Sequence, residues 1–255
     1  MSQIKTIAVT GKGGTGKTMI ATLIIHVLSQ KLKGGVLAID ADSAMSLPYT
    51  LGLPVEKTIS QMREGIVSPG QMRKQMEQEP LGTWIGRARA YGDGFDLIAM
   101  GRPEEPGCYC AVNELLRAGI DSLIDDYQIA IIDGEAGPEQ LNRRVIKNID
   151  VLLVVSDMSA RSLATAGGII QVAQANEREI QVGRAGLILN RVRDDEPEPE
   201  YLKKAGLDIL GRFPEDKILN EYDRQGRPLS ELPADSPCLL AVEQMLKELV
   251  PELFA

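Results

Sequence analysis

Gly11-Lys12-Gly13-Gly14-Thr15-Gly16-Lys17-Thr18, preceded by the apolar run Ile4-Lys5-Thr6-Ile7-Ala8-Val9-Thr10, decides the fold. Glycines let a backbone turn so that successive N–H groups aim at phosphate oxygens. Lys17 sits where a lysine reaches β- and γ-phosphates, and the Thr18 hydroxyl is placed to coordinate magnesium. The residues after Thr18 predict a helix whose positive end adds to the phosphate site. Strand, glycine loop and helix in this order form a phosphate-binding P-loop, with Gly11, Lys12, Gly13, Gly14, Thr15, Gly16, Lys17 and Thr18 as its members.

Outward from the loop, short apolar runs recur at Gly35–Ile39, Phe95–Met100, Ile129–Ile132, Val151–Val155, Ala185–Leu189 and Leu207–Phe213. Several are continuously apolar, the habit of strands buried on both faces, and most are separated by segments with helical apolar spacing. The expected fold is α/β: a mostly parallel central sheet with helices on both faces, in one domain over residues 1–255. Ligands then bind at the carboxyl ends of the strands. Asp40-Ala41-Asp42-Ser43 follows the second run and places Asp42 where it could meet an attacking water or magnesium; a local turn is the simpler alternative. Ile129-Ala130-Ile131-Ile132-Asp133 ends in a carboxylate suited to hold magnesium. Gly134 and Gly137 beyond it suit a loop that rearranges with the γ-phosphate. The acidic stretch Arg193–Glu200, with Pro197 and Pro199, is expected as a surface loop.

The 255 residues are 44% hydrophobic and 25% charged, ordinary for a soluble globular protein, with a net charge of −8 that argues against nonspecific nucleic-acid binding. No stretch reaches the roughly 20 apolar residues needed to span a bilayer, and the N-terminus runs straight into a strand, so no membrane role and a cytoplasmic location are expected. The 3 cysteines make no disulfide framework.

Two of them form Cys108-Tyr109-Cys110. A pair this close does not readily form an unstrained disulfide, but it offers two thiolates to one soft metal ion. Apolar spacing from Val112 through Leu115, Leu116, Ile120, Leu123 and Ile124 predicts a helix starting just after them, whose positive end favours thiolate. A second copy across a two-fold axis would complete four sulfurs. The alternative is two small buried apolar side chains. Cys238 has no partner nearby in sequence and reads as structural. His26 reads as a core or surface residue of the first helix, and the region of Met62, Met72 and Met76 as a helical surface.

Lys12, placed early in the loop, makes the chain resemble the deviant Walker A ATPases, the MinD, ParA and nitrogenase-iron-protein-like group. The resemblance implies ATP and Mg2+ as ligands and an ATP-driven homodimer in which Lys12 touches the partner's phosphates. It also implies that Asp42 helps activate water, that Asn190 in Leu187-Ile188-Leu189-Asn190-Arg191 lies beside the adenine, and that Pro214-Glu215-Asp216 forms part of the base pocket. Met100-Gly101-Arg102-Pro103, Pro106-Gly107-Cys108-Tyr109-Cys110, Asn113-Glu114-Leu115-Leu116-Arg117 and the Asp133-Gly134-Glu135-Ala136-Gly137 switch are similar to the CooC-type carbon monoxide dehydrogenase accessory ATPases. This implies nickel, or zinc in the same thiolates, at Cys108 and Cys110, and a nickel enzyme as client, either carbon monoxide dehydrogenase or acetyl-CoA synthase. An electron-donating iron protein would need a cysteine between Gly137 and Asn148, and none is there. A membrane- or DNA-positioning ATPase is disfavoured by Glu243, Glu248 and Glu252 on the helix expected over Leu239–Leu253.

Overall fold

β1 (Thr6–Gly11) is buried at every position, which only a strand covered on both faces can be. Its neighbouring side chains part company: Ile7 and Val9 enter one apolar layer, Ala8 the other. β2 (Val36–Asp40) divides in the same way, with Val36 and Ala38 on one face and Leu37 and Ile39 on the other. The computed structural model describes residues 4–63, 69–102, 117–118, 120–136, 148–175, 181–193, 199–200, 202 and 206–254.

Within these residues, β3 (Ala90–Tyr91), β4 (Phe95–Ala99), β5 (Ile129–Ala136), β6 (Asn148–Ser156), β7 (Gln181–Val192) and β8 (Ile209–Pro214) complete one 8-stranded sheet in the order β3-β4-β2-β5-β1-β6-β7-β8. Every pairing is parallel except β3 with β4. The expected parallel sheet is therefore found, with an antiparallel edge that the apolar pattern did not show. β3 has only 2 residues, too few for a periodic signal. β6 and β7 run past their apolar cores because polar ends such as Asn148 and Gln181 still pair through the backbone.

One face is covered by α1 (Lys17–Leu32), α2 (Ser46–Leu51) and α8 (Pro237–Leu249), through side chains such as Ile20, Ile24, Leu28, Val242 and Leu246. The other carries α5 (Leu81–Gly86) and α6 (Ala160–Ala175), with Trp84, Ile85, Leu163 and Ile170 against the sheet. Two short helices, α3 (Ile59–Arg63) and α4 (Pro69–Gln78), precede α5, and α7 (Lys217–Gln225) follows β8. Residues 120–124 are helical, with Ile120, Leu123 and Ile124 buried as the spacing predicted; the expected start of that helix lies outside the described residues. So does most of the expected surface loop from Arg193 to Glu200.

The last helix starts and stops earlier than expected. Ser236 caps it by accepting the Leu239 N–H, Pro237 occupies its first turn, and Pro251 leaves only a short 3-10 turn over Pro251–Leu253. Among the described residues no helix is long and apolar enough to cross a membrane.

Sheet order places β1 at the centre, between β5 and β6, where the chain turns from one half of the sheet to the other. Loops leaving β1, β2 and β5 therefore meet at one crevice, with Asp40 and Asp133 as register partners on adjacent strands.

Candidate functional site

The turn from β1 into α1 demands glycine at two positions. Gly11 has φ 148°, and a Cβ there would lie 2.2 Å from the Val155 carbonyl oxygen. Gly16 has φ 93°, and its Cβ would meet Asn190 Nδ2 at 2.4 Å. Thr15 closes the loop on itself: its hydroxyl donates to the Lys12 carbonyl at 2.8 Å. Gly16 precedes α1 with no side-chain cap, and no acidic residue stands in the first turn. The first N–H groups of α1 are thus left for an anion. Lys17 is buried at the start of this helix.

Asp133 ends the apolar stretch of β5 and is fully buried. Neither carboxylate oxygen makes a well-formed hydrogen bond among the described residues, although the Thr18 hydroxyl faces it. Burial pushes this carboxyl up to about 7; Thr18 and the Lys17 ammonium oppose the rise, and the charges of Asp40 and Asp42 add to it. A buried anion without partners is costly unless a cation meets it. The donors here are a carboxylate and a hydroxyl, the hard oxygen ligands that magnesium takes. Among the described residues no three His, Cys, Asp or Glu side chains converge as a metal cage. Magnesium fits that pattern, since it keeps several waters and takes few protein ligands.

Asp40 is a residue that the motif reading passed over. It is fully buried, and its two oxygens accept the N–H groups of Asp42 at 3.0 Å and Leu47 at 3.1 Å. Burial pushes its carboxyl up to about 6, against those two donors, with the Asp42 charge adding to the rise. It holds the shape of the loop that carries Asp42. Asp42 itself is half-buried at the crevice and accepts the Ala44 N–H at 2.8 Å. The local turn offered as the simpler alternative is present.

Lys12 lies near Asp157, just past β6. Burial would raise the Asp157 carboxyl, but the Ser159 hydroxyl and N–H, then the Lys12 charge, bring it below its usual value. This proximity was invisible in sequence because the two residues lie on different loops, brought near by the pairing of β1 with β6.

Asn190 is buried at the P-loop: its Nδ2 donates to the Thr15 carbonyl at 2.8 Å, and its Oδ1 accepts the Arg191 N–H at 2.9 Å. Arg191 holds φ 57° and reaches the Gly14 carbonyl at 3.4 Å. Pro214 ends β8. Glu215 follows it, with its N–H on the Val192 carbonyl and its side chain on Arg193 at 2.6 Å. Asp216 uses both oxygens on helix starts, accepting from Ile218 and Leu219 N–H and from the Ser236 hydroxyl. Cys108 and Cys110 lie outside the described residues, as does Gly137. Cys238 is buried and its thiol donates to the Pro214 carbonyl, in keeping with a structural part. His26 is half-buried, and burial lowers its pKa.

Residues 6–229 match the family described as the CobQ/CobB/MinD/ParA nucleotide binding domain. The chain belongs to this family. Within the CobQ/CobB/MinD/ParA family, it is 38% identical to an uncharacterized ATP-binding protein of Methanocaldococcus jannaschii, over 97% of this chain and 99% of that one. It is 28% identical to the carbon monoxide dehydrogenase accessory protein CooC of Rhodospirillum rubrum, over 86% of this chain and 87% of that one. Its fold superposes with a TM-score of 0.69 on the septum site-determining protein MinD of Pyrococcus horikoshii, solved with Mg-ADP, at 20% identity over 97% of this chain and 96% of MinD. The protein is a P-loop ATPase of the CobQ/CobB/MinD/ParA family, similar to the CooC type.

Proposed function

We propose that the protein is an ATP-dependent maturation ATPase that binds nickel, or zinc, through Cys108 and Cys110 at a homodimer interface and assists nickel insertion into carbon monoxide dehydrogenase. The observation that supports this reading is the buried, unpartnered Asp133 carboxylate beside an uncapped P-loop helix, in a chain whose sequence runs Cys108-Tyr109-Cys110. Likeness to CooC supports the client; acetyl-CoA synthase is the alternative.

In this reading Lys17 and the loop N–H groups grip the β- and γ-phosphates, and Asn190, Pro214 and Glu215 line the base pocket. Thr18 and Asp133 hold magnesium, with Asp42 beside them. Magnesium supplies positive charge against the phosphate oxygens. Asp42 orients a water and accepts its proton as the water oxygen bonds to the γ-phosphorus and the bond to ADP breaks. Lys12 leaves Asp157 to reach the partner's phosphates as two chains close, in the single domain 1–255 of a cytoplasmic protein. Four thiolates then meet between the subunits, and hydrolysis reopens them to release the ion.

The test is activation of nickel-free carbon monoxide dehydrogenase. Wild type with ATP and nickel speeds activation, whereas Lys17→Ala and Cys108→Ala/Cys110→Ala do not. Full activation by the double cysteine variant contradicts the reading, and a response from acetyl-CoA synthase alone selects the alternative client.

A further inference from the structure

The carboxyl end of β7 carries an extra residue. Leu189 pairs with Arg212 and Val192 with Pro214, so Asn190 and Arg191 together stand opposite Phe213 alone. Such a bulge breaks the alternation of the strand and re-aims the side chains it carries. Arg191 takes φ 57°, a left-handed backbone that is disfavoured for any residue with a Cβ and that glycine would adopt without strain. An arginine kept there calls for a reason outside the strand.

Both side chains of the bulge reach one loop. Asn190 Nδ2 donates to the Thr15 carbonyl at 2.8 Å, and Arg191 Nη1 donates to the Gly14 carbonyl at 3.4 Å. Asn190 is itself aimed by its Oδ1, which accepts the Arg191 N–H at 2.9 Å. It stands so near the loop that a Cβ on Gly16 would lie 2.4 Å from its Nδ2. Within the loop, the Thr15 hydroxyl and N–H donate to the Lys12 carbonyl at 2.8 and 3.4 Å. The carbonyl of one residue and the N–H of the next share a planar trans peptide unit and point opposite ways. Holding the Gly14 and Thr15 carbonyls on the β7 bulge therefore turns the N–H groups of Thr15 and Gly16 away from it.

We propose that Arg191 is a positioning residue of the ATP site: with Asn190 it braces the P-loop from outside, so that the turn from Lys12 to Gly16 is set before nucleotide binds. This rests on the reading of the P-loop as the ATP site and on nothing assigned to the cysteines. Arg191 acts through the loop, because its donor ends on a main-chain carbonyl. A loop already set spares the nucleotide the ordering that a loose one would need, which raises affinity for ADP and ATP alike. Such uniform binding appears in KM and leaves turnover alone.

The experiment compares full-length wild type with Arg191→Gly, which keeps the left-handed backbone and loses the guanidinium. A second variant, Arg191→Lys, offers an ammonium in place of the one nitrogen in use. In Arg191→Gly the Mg-ADP Kd by calorimetry and the ATP KM each rise at least about fivefold while kcat stays within about twofold. Without nucleotide, the amides of residues 11–18 exchange at least about threefold faster by mass spectrometry. Arg191→Lys returns Kd, KM and exchange to within about twofold of wild type. An unchanged Kd in Arg191→Gly overturns the brace. So does a raised Kd with unchanged exchange in the nucleotide-free protein, which would make Arg191 a direct ligand contact. Lys17→Ala separates these failures from that of the site. If it leaves Mg-ADP binding intact, the P-loop reading falls together with the brace; if it abolishes binding while Arg191→Gly changes nothing, the brace alone falls.

Discussion

Asp133 gathers the chemistry of the site into one side chain: a fully buried carboxylate whose oxygens find no well-formed partner in the described chain. A buried charge without a partner is costly to the ligand-free fold, and the proposed magnesium would offset that cost. Asp133→Asn is expected to leave thermal stability equal or higher in the absence of nucleotide, to lose the added stability from Mg-ADP, and to lower ATP turnover at least about a hundredfold. Calorimetry and a phosphate-release assay check both; a fall in ligand-free stability would show instead that the charge supports the fold. Cys238 is the opposite case. Burial, then the Asp216 charge, pushes its thiol from 9.0 up to about 12. A raised thiol favours the folded state fully below about pH 9 and loses that contribution as pH climbs toward 12, by at most about 1.4 kcal/mol per pH unit. The decline in unfolding free energy between pH 9 and 11 should shrink in Cys238→Ala, and iodoacetamide at pH 8 should reach Cys238 only in denaturant.

Two helices are started by one residue. Asp216 accepts both Ile218 and Leu219 N–H groups at the head of α7, and its other oxygen fixes the Ser236 hydroxyl that caps α8. Asp216→Ala should cost about 2 kcal/mol by urea denaturation, the sum of a lost cap and a loosened second one. A cost of only about 1 kcal/mol would mean the α8 cap stands without Asp216, and little change would mean that neither cap depends on it. This tie also shows where sequence reading stops. The stretch Pro214-Glu215-Asp216 read as part of the base pocket, yet the Asp216 carboxylate is engaged by Ser236, 20 residues later, a partner no local pattern announces. β1, the glycines at 11 and 16 and the end of β5 were legible because strand periodicity and loop chemistry are local. Asp40 was not, since its two N–H donors give it the look of an ordinary turn aspartate. β3 was too short to carry a period, and the Lys12–Asp157 approach exists only once β1 lies beside β6.

At the scale of the molecule, the central place of β1 makes the rest coherent. The strands that carry the P-loop, Asp40 and Asp133 are neighbours in one sheet, which brings the loops after them to one crevice. Apolar layers on both faces keep those strand ends fixed. The cysteine pair follows one of the segments at that crevice in sequence. The central claim, that nucleotide chemistry governs a metal held by Cys108 and Cys110 between two subunits, is tested most directly by anaerobic titration with nickel. Bound metal and molecular mass are read together by size-exclusion, with ADP and with an ATP analogue, for wild type and Cys108→Ala/Cys110→Ala. The account predicts one ion per dimer, retained or released according to the nucleotide and absent from the double variant. Equal nickel binding by the double variant, or an ion held by monomers alone, would contradict it.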